Sequence, residues 1–142
     1  MLEYKLPIRV YIEDTDAGGI VYYVNYLKYF ERARTELIRS MGVDKTAVME
    51  DGSVFVVTSA SIDYLAPARL DDEIVARATV IGAGGASIVF EQDVSRGAEI
   101  LARGKVTAAL TDGQTGRPKR MPIKLRSALK VAVNSNEVMD GR

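Results

Sequence analysis

Apolar and polar positions alternate along residues 4–12, with Leu6, Ile8, Val10 and Ile12 on one face and Lys5, Arg9 and Tyr11 between them. A period of two predicts a first strand. Residues 13–23 lose that period and hold Gly18 and Gly19, so they read as a loop. From 25 to 41 the period becomes helical, placing Leu27, Phe30, Arg34, Leu37, Ile38 and Met41 on one face. Asn25 stands where an N-cap belongs and Gly42 where a C′ glycine belongs. On the outer side Arg32 and Glu36, and Glu31 and Arg34, are spaced to meet.

Four strand-like runs follow, at 54–64, 72–82, 86–95 and 98–111. Ala66-Pro-Ala-Arg69 ends the first of them. Gly82-Ala-Gly-Gly85 and Ser95-Arg-Gly97 read as hairpin connections, so the last three runs form an antiparallel meander. Residues 112–122 are turn-rich and basic, with Arg117, Lys119 and Arg120. Ile123, Leu125 and Leu129 suggest a final helix or strand, and residues 134–142 should fray. The layout is α+β: one long helix packed on a five-stranded antiparallel sheet. The domain should span 1–130, with 131–142 as a C-terminal tail. One helix cannot cover such a sheet or close its edges, so a homo-oligomer is expected.

Composition narrows the chemistry. The 142 residues fit one domain, and 47% hydrophobic content is too high for disorder. Lys plus Arg and Asp plus Glu number 19 each, so zero net charge argues against nucleic acid as the main partner. No run approaches the roughly 18 apolar residues that would span a bilayer, and residues 1–9 lack a signal-peptide core. A soluble cytoplasmic protein is expected. The chain has no Cys and no His. That excludes disulfides, thiolate metal sites, Cys nucleophiles and Ser-His-Asp triads. Neither metal nor redox cofactor is expected.

What remains is carboxylates, hydroxyls, amines and backbone dipoles. They concentrate in Glu13-Asp-Thr-Asp-Ala-Gly-Gly, just before the helix. A carboxylate there can act as nucleophile or base, and the unpaired N–H groups of a first helical turn can hold an oxyanion. Asp16 is equally suited to organising a Gly-Gly loop as an Asx-turn. Asp14 reads as a loop-fixing residue through backbone N–H bonds, with Glu13 pointing the other way. Tyr22, Tyr23, Tyr26 and Tyr29 crowd the helix start, as pocket lining or as core and interface packing. Glu31 has a chemical reading and a pairing one. Ser59 and Ser61 share one strand face and could orient a water or a substrate carbonyl. Arg69, Arg117, Lys119 and Arg120 could meet phosphates or remain solvated.

Two stretches carry a resemblance. The first is Glu13-Asp-Thr-Asp-Ala-Gly-Gly-Ile-Val-Tyr, Asn25-Tyr and Tyr29-Phe-Glu-Arg-Ala-Arg-Thr-Glu. The second is Asp63-Tyr-Leu-Ala-Pro-Ala-Arg-Leu-Asp-Asp-Glu. Together, over residues 4–125, they resemble the hotdog-fold acyl-CoA thioesterases. The nearest branch is the one around 4-hydroxybenzoyl-CoA thioesterase and the Tol-Pal-associated acyl-CoA thioesterase. The resemblance implies a sheet wrapped round a central helix, pairing into homodimers or homotetramers, with the active site at the subunit interface. It implies Asp16 as the catalytic carboxylate and the Tyr23 backbone N–H as the group polarising the thioester carbonyl. Gly19, Val21, Tyr22, Asn25, Ser59, Ser61, Arg69, Arg117 and Lys119 become candidate substrate contacts, and acyl-CoA the expected substrate. The Tol-Pal-associated members usually carry His where this chain has Tyr23, so a mechanism needing that imidazole does not carry over. The alternative is a non-catalytic module that binds acyl-CoA as an adaptor or sensor.

Overall fold

The computed structural model of the protein describes residues 2–43, 49 and 51–139, and of residues 135–139 the backbone alone. Among the described residues, five strands form one antiparallel sheet. They are β1 (Glu3–Arg9), β2 (Val54–Tyr64), β3 (Glu73–Ala83), β4 (Ser87–Arg96) and β5 (Glu99–Thr111), in the spatial order β1-β3-β4-β5-β2. The expected meander is present, as β3, β4 and β5 pair in succession. β2 pairs back onto β5, and β1 onto β3.

Two helices, α1 (Asn25–Ser40) and α2 (Ile123–Met139), pack on this sheet rather than one. Leu125, Leu129 and Ala132 recur at helical spacing and are buried with Met121. α2 therefore covers part of β3 that one helix would leave open, and it runs past residue 130, the expected end of the domain. Residues 140–142 of the expected tail lie outside the described residues.

The core is the inward row of the three central strands: Ile74, Ala76, Ala78 and Val80 on β3, Ile88, Phe90 and Val94 on β4, Val106, Ala108 and Leu110 on β5. α1 lays Tyr26, Tyr29, Phe30, Ala33, Leu37 and Ile38 on it. Each fully buried Leu or Phe contributes roughly 2 kcal/mol. Small residues at Ala33, Ala76 and Ala78, all fully buried, let helix and sheet approach closely.

The helix face is rotated from the one expected. Leu27 is exposed, and Tyr26 takes its place inside. The Tyr26 hydroxyl accepts the Ala68 N–H at 3.0 Å, and its ring meets Tyr29 edge-on at 6.1 Å. Arg34 donates to Gln92 Oε1 at 3.1 Å, and buried Gln92 donates to the Phe30 carbonyl at 2.9 Å. Neither expected surface ion pair forms among the described residues. Glu36 pairs with Arg39, Arg32 lies over the Tyr29 ring at 5.9 Å, and Glu31 accepts the Thr35 hydroxyl at 3.1 Å.

β1 ends at Arg9 instead of continuing to residue 12. Residues Ile12–Asp14 form a 3₁₀ turn, and Ile12 is 76% exposed. The cause is local: the Asp14 carboxylate accepts the Tyr11 N–H, which a continuing strand would have paired elsewhere.

Candidate active site

The Asp16 loop is a tight hairpin. Asp16 donates its N–H to Ile20 O at 3.0 Å and accepts the Gly19 N–H at 3.1 Å, and Thr15 pairs with Val21. Gly19 has φ +74°, a left-handed conformation that closes such three-residue loops and that glycine adopts without strain. Asp16 is exposed. Its Oδ1 accepts the Gly18 N–H at 2.9 Å, which is the Asx-turn geometry, and its Oδ2 has no hydrogen bond among the described residues. The turn role and a free carboxylate oxygen thus coexist in one side chain.

The returning arm of the hairpin leads into α1. Tyr22 donates its N–H to Asp14 O at 3.0 Å, so residues 14–16 and 20–22 run side by side and Tyr23 follows directly. At the helix entry Asn25 donates to Tyr22 O, Tyr26 to Tyr23 O and Leu27 to Val24 O. The backbone N–H groups of Tyr23 and Val24 have no acceptor among the described residues. No side chain caps this end. Asn25 is the first helical residue, not the N-cap, which is Val24. The Asn25 amide turns away from the helix end and donates to Asp14 Oδ1 at 2.9 Å.

Aromatic rings frame this entry. Tyr23 is 59% exposed, and its ring lies 4.9 Å from Tyr22 and 6.0 Å from Tyr64, which also packs against Tyr26. Sequence reasoning did not connect Tyr64 with this cluster, because its position at the end of β2 is adjacent only through the sheet.

The other sequence candidates divide by place. Val21 is buried in the hairpin and donates to Ala68 O at 2.8 Å. Tyr22 is half exposed beside Tyr23. Arg69 pairs through its backbone with Ile20, which sets it beside the Asp16 loop. Ser61 pairs with Lys105, and Ser59 with Thr107, on the outer face of the sheet. Ser61 lines a concavity of about 540 Å³ there with Arg77, Glu91, Asp93 and Lys105. Arg77 is already held there by Asp93 at 2.7 Å and by Glu3 and Glu91. That face is a mixed-charge surface on the side away from α1. Glu31 lines a smaller cleft of about 130 Å³ between α1 and the sheet, with Arg34, Phe55, Val57 and Phe90.

Arg117 and Lys119 lie at the far end of the sheet. The loop carrying them folds back on the end of β5, through Thr111 with Pro118 and Lys119 N–H to Leu110 O. The Asp16 end is instead tied to the start of β5, through Leu65 N–H to Leu101 O. Ten residues of strand separate Leu101 from Thr111, or roughly 33 Å at strand rise. Lys119 also pairs with Asp51 at 2.9 Å. The Ser53 hydroxyl, and then Lys119, hold the Asp51 carboxyl well below the usual carboxylate range.

Tyr29 supplies a prediction. Its hydroxyl is buried without a hydrogen bond among the described residues, although Asn25 and Asp14 are its polar neighbours. Burial, and then the Asp14 charge, push its phenol up to about 12. A pKa raised on folding contributes stability that is full below the unfolded value of about 10 and lost as pH rises through the folded value. Because the hydroxyl is buried without a partner, Tyr29→Phe should be neutral or stabilising by about 1 kcal/mol at pH 7. It should also lose less stability than the parent between pH 10 and 12. Urea unfolding at pH 7 and pH 11 checks both; a clear loss at pH 7 would mean that the hydroxyl is satisfied.

Residues 18–102 match the thioesterase superfamily. The chain is 39% identical to the acyl-CoA thioesterase YbgC of Haemophilus influenzae over 88% of this chain and 93% of that one. It is 35% identical to the acyl-CoA thioester hydrolase YbgC of Escherichia coli O6:H1 over 89% and 96%. The fold is shared with the DHNA-CoA thioesterase structure from Staphylococcus aureus, at TM-score 0.84 and 17% identity, over 100% of this chain and 97% of that one. The sheet and helices are those of the hotdog fold, and the chain belongs to the thioesterase superfamily.

Proposed function

We propose that the protein hydrolyses an acyl-CoA thioester to the free acid and coenzyme A, with Asp16 and the Tyr23 backbone N–H as its working groups. The observation that carries this reading is the Tyr23 N–H, without an acceptor among the described residues, directly after the hairpin whose Asp16 carboxylate keeps one oxygen free of hydrogen bonds among them. An unpaired N–H at a helix entry is a donor available to a developing oxyanion. Asp16 either adds to the carbonyl carbon, giving an anhydride that water then opens, or takes a proton from water as that water adds. In both routes the tetrahedral oxyanion collapses, the C–S bond breaks, and the thiolate leaves and is protonated.

The site needs a second copy of the chain in this reading. β2 is an edge strand exposed on both faces, with Val56 and Val57 uncovered. Pairing two β2 edges about a two-fold axis reverses one strand against the other. The far end of one protomer, carrying Arg117 and Lys119, then meets the Asp16 end of its partner. Arg69 reaches the same place from its own chain. These cations supply charge for the phosphates of coenzyme A. Among the described residues no helix is long and apolar enough to cross a membrane.

The test is thiol release across short, long and aromatic acyl-CoA substrates. Turnover of at least one is expected. Binding without turnover would replace the enzyme reading with that of an acyl-CoA-binding module.

A further inference from the structure

The structure assigns Asp14 as a positioning residue for the helix entry, a role that rests on the Asp16–Tyr23 reading above. Asp14 is 8% exposed, and no cation pairs with it among the described residues. Burying a carboxylate without a counter-charge is costly unless its lone pairs are filled. Here they are filled by donors from two separate segments. Oδ2 accepts the Tyr11 N–H at 2.9 Å, at the end of β1. Oδ1 accepts the Asn25 amide at 2.9 Å, on the first residue of α1. The Asp14 carbonyl holds a third point, the Tyr22 N–H at 3.0 Å, one residue before the free Tyr23 N–H.

The residue type matters. Two N–H donors converge on this side chain, and a carboxylate accepts from both. An amide at position 14 has one oxygen for the two donors and keeps the second contact only when the Asn25 amide flips to accept its NH₂, whereas alanine keeps neither. The clamp fixes where α1 begins relative to the hairpin that carries Asp16. It also acts on a helix entry that no side-chain cap restrains. A shift of the entry moves the Tyr23 N–H away from the position the oxyanion will occupy, while most substrate contacts stay in place. A misplacement of about 1 Å costs on the order of 10²-fold in rate.

The experiment compares Asp14→Ala, Asn25→Ser and the swap D14N/N25D in the full-length chain, with kcat, KM and melting temperature measured for each. Asp14→Ala and Asn25→Ser are each expected to lower kcat by about 10²-fold, with KM held within about 3-fold. The swap reinstates the pattern. Its amide at position 14 would accept from the Tyr11 N–H and donate to the carboxylate at position 25, and kcat should return to within about 5-fold of the parent. A purely structural role predicts a lower melting temperature with unchanged kcat, and either folded single variant behaving so overturns the assignment. A folded swap whose kcat stays at the Asp14→Ala level also overturns it. If Asp14→Ala does not fold, Asn25→Ser and the swap decide by the same criteria. Asp16→Asn run in parallel separates the two readings. Full activity there removes the active-site reading itself, whereas an inactive Asp16→Asn beside a fully active Asp14→Ala removes only the positioning role.

Discussion

Asp16→Asn should lower kcat for acyl-CoA hydrolysis by about 10²–10⁴-fold, the usual contribution of a positioned base, or further if Asp16 is the nucleophile. The fold should survive. Asn keeps an oxygen for the Gly18 N–H, so the Asx-turn and the Gly19 closure remain. What disappears is the negative charge on an exposed side chain whose second oxygen is otherwise unused. KM should move little, because the same shape is presented to substrate. Thiol release at saturating substrate, with a thermal melt as control, reads both quantities. Wild-type kcat in the folded variant would sink the assignment of Asp16, though not membership of the family.

Gly104→Ala should cost about 3 kcal/mol of stability, near the top of the range for overpacking. Gly104 lies in β5 opposite Ile62 of β2 and Gln92 of β4. A Cβ there would sit 2.0 Å from the Ser61 carbonyl oxygen and 3.0 Å from Ile62 Cα. Both are backbone atoms, so no side-chain rotation relieves the clash. β2 would have to leave β5, breaking ladder bonds beside Tyr64 and the aromatic frame of Tyr23. Gly82→Ala is the control. Its added Cβ meets Val89 at 3.6 Å, an ordinary contact, and the change should stay within about 1 kcal/mol. Urea unfolding of the pair decides; equal stability for the two variants would mean that β2 and β5 yield at little cost.

Much of the architecture was legible in the sequence. Period-two runs located the strands, the helical period located α1, and Gly-rich breaks located the meander turns. The misreadings share a cause. Asn25 looked like a cap because cap residues are read locally, yet its amide is engaged by Asp14, eleven residues upstream. Leu27 looked buried, but the Tyr26 hydroxyl has its partner in the Ala68 N–H, forty-two residues away, and that bond sets the helix face. α2 stayed ambiguous because Leu125, Leu129 and Ala132 make a thin stripe whose meaning depends on β3 lying beneath it.

By itself the sequence determined the alphabet of the chemistry and the local shape of its carrier. With no His and no Cys, the chemistry was left to carboxylates, hydroxyls, amines and backbone dipoles, and Asp16 with Gly18 and Gly19 spelled a tight loop before a helix. Only the tertiary structure decided which residues share that place. It set Arg69 beside the loop and Tyr64 at the helix entry, joined Asp14 to Asn25, turned Ser59 and Ser61 to the outer face, and put Arg117 and Lys119 at the opposite end of the sheet. The reason is physical. Period and turn chemistry act over a few residues, whereas strand order and register come from hydrogen bonds between segments tens of residues apart, which no local pattern encodes.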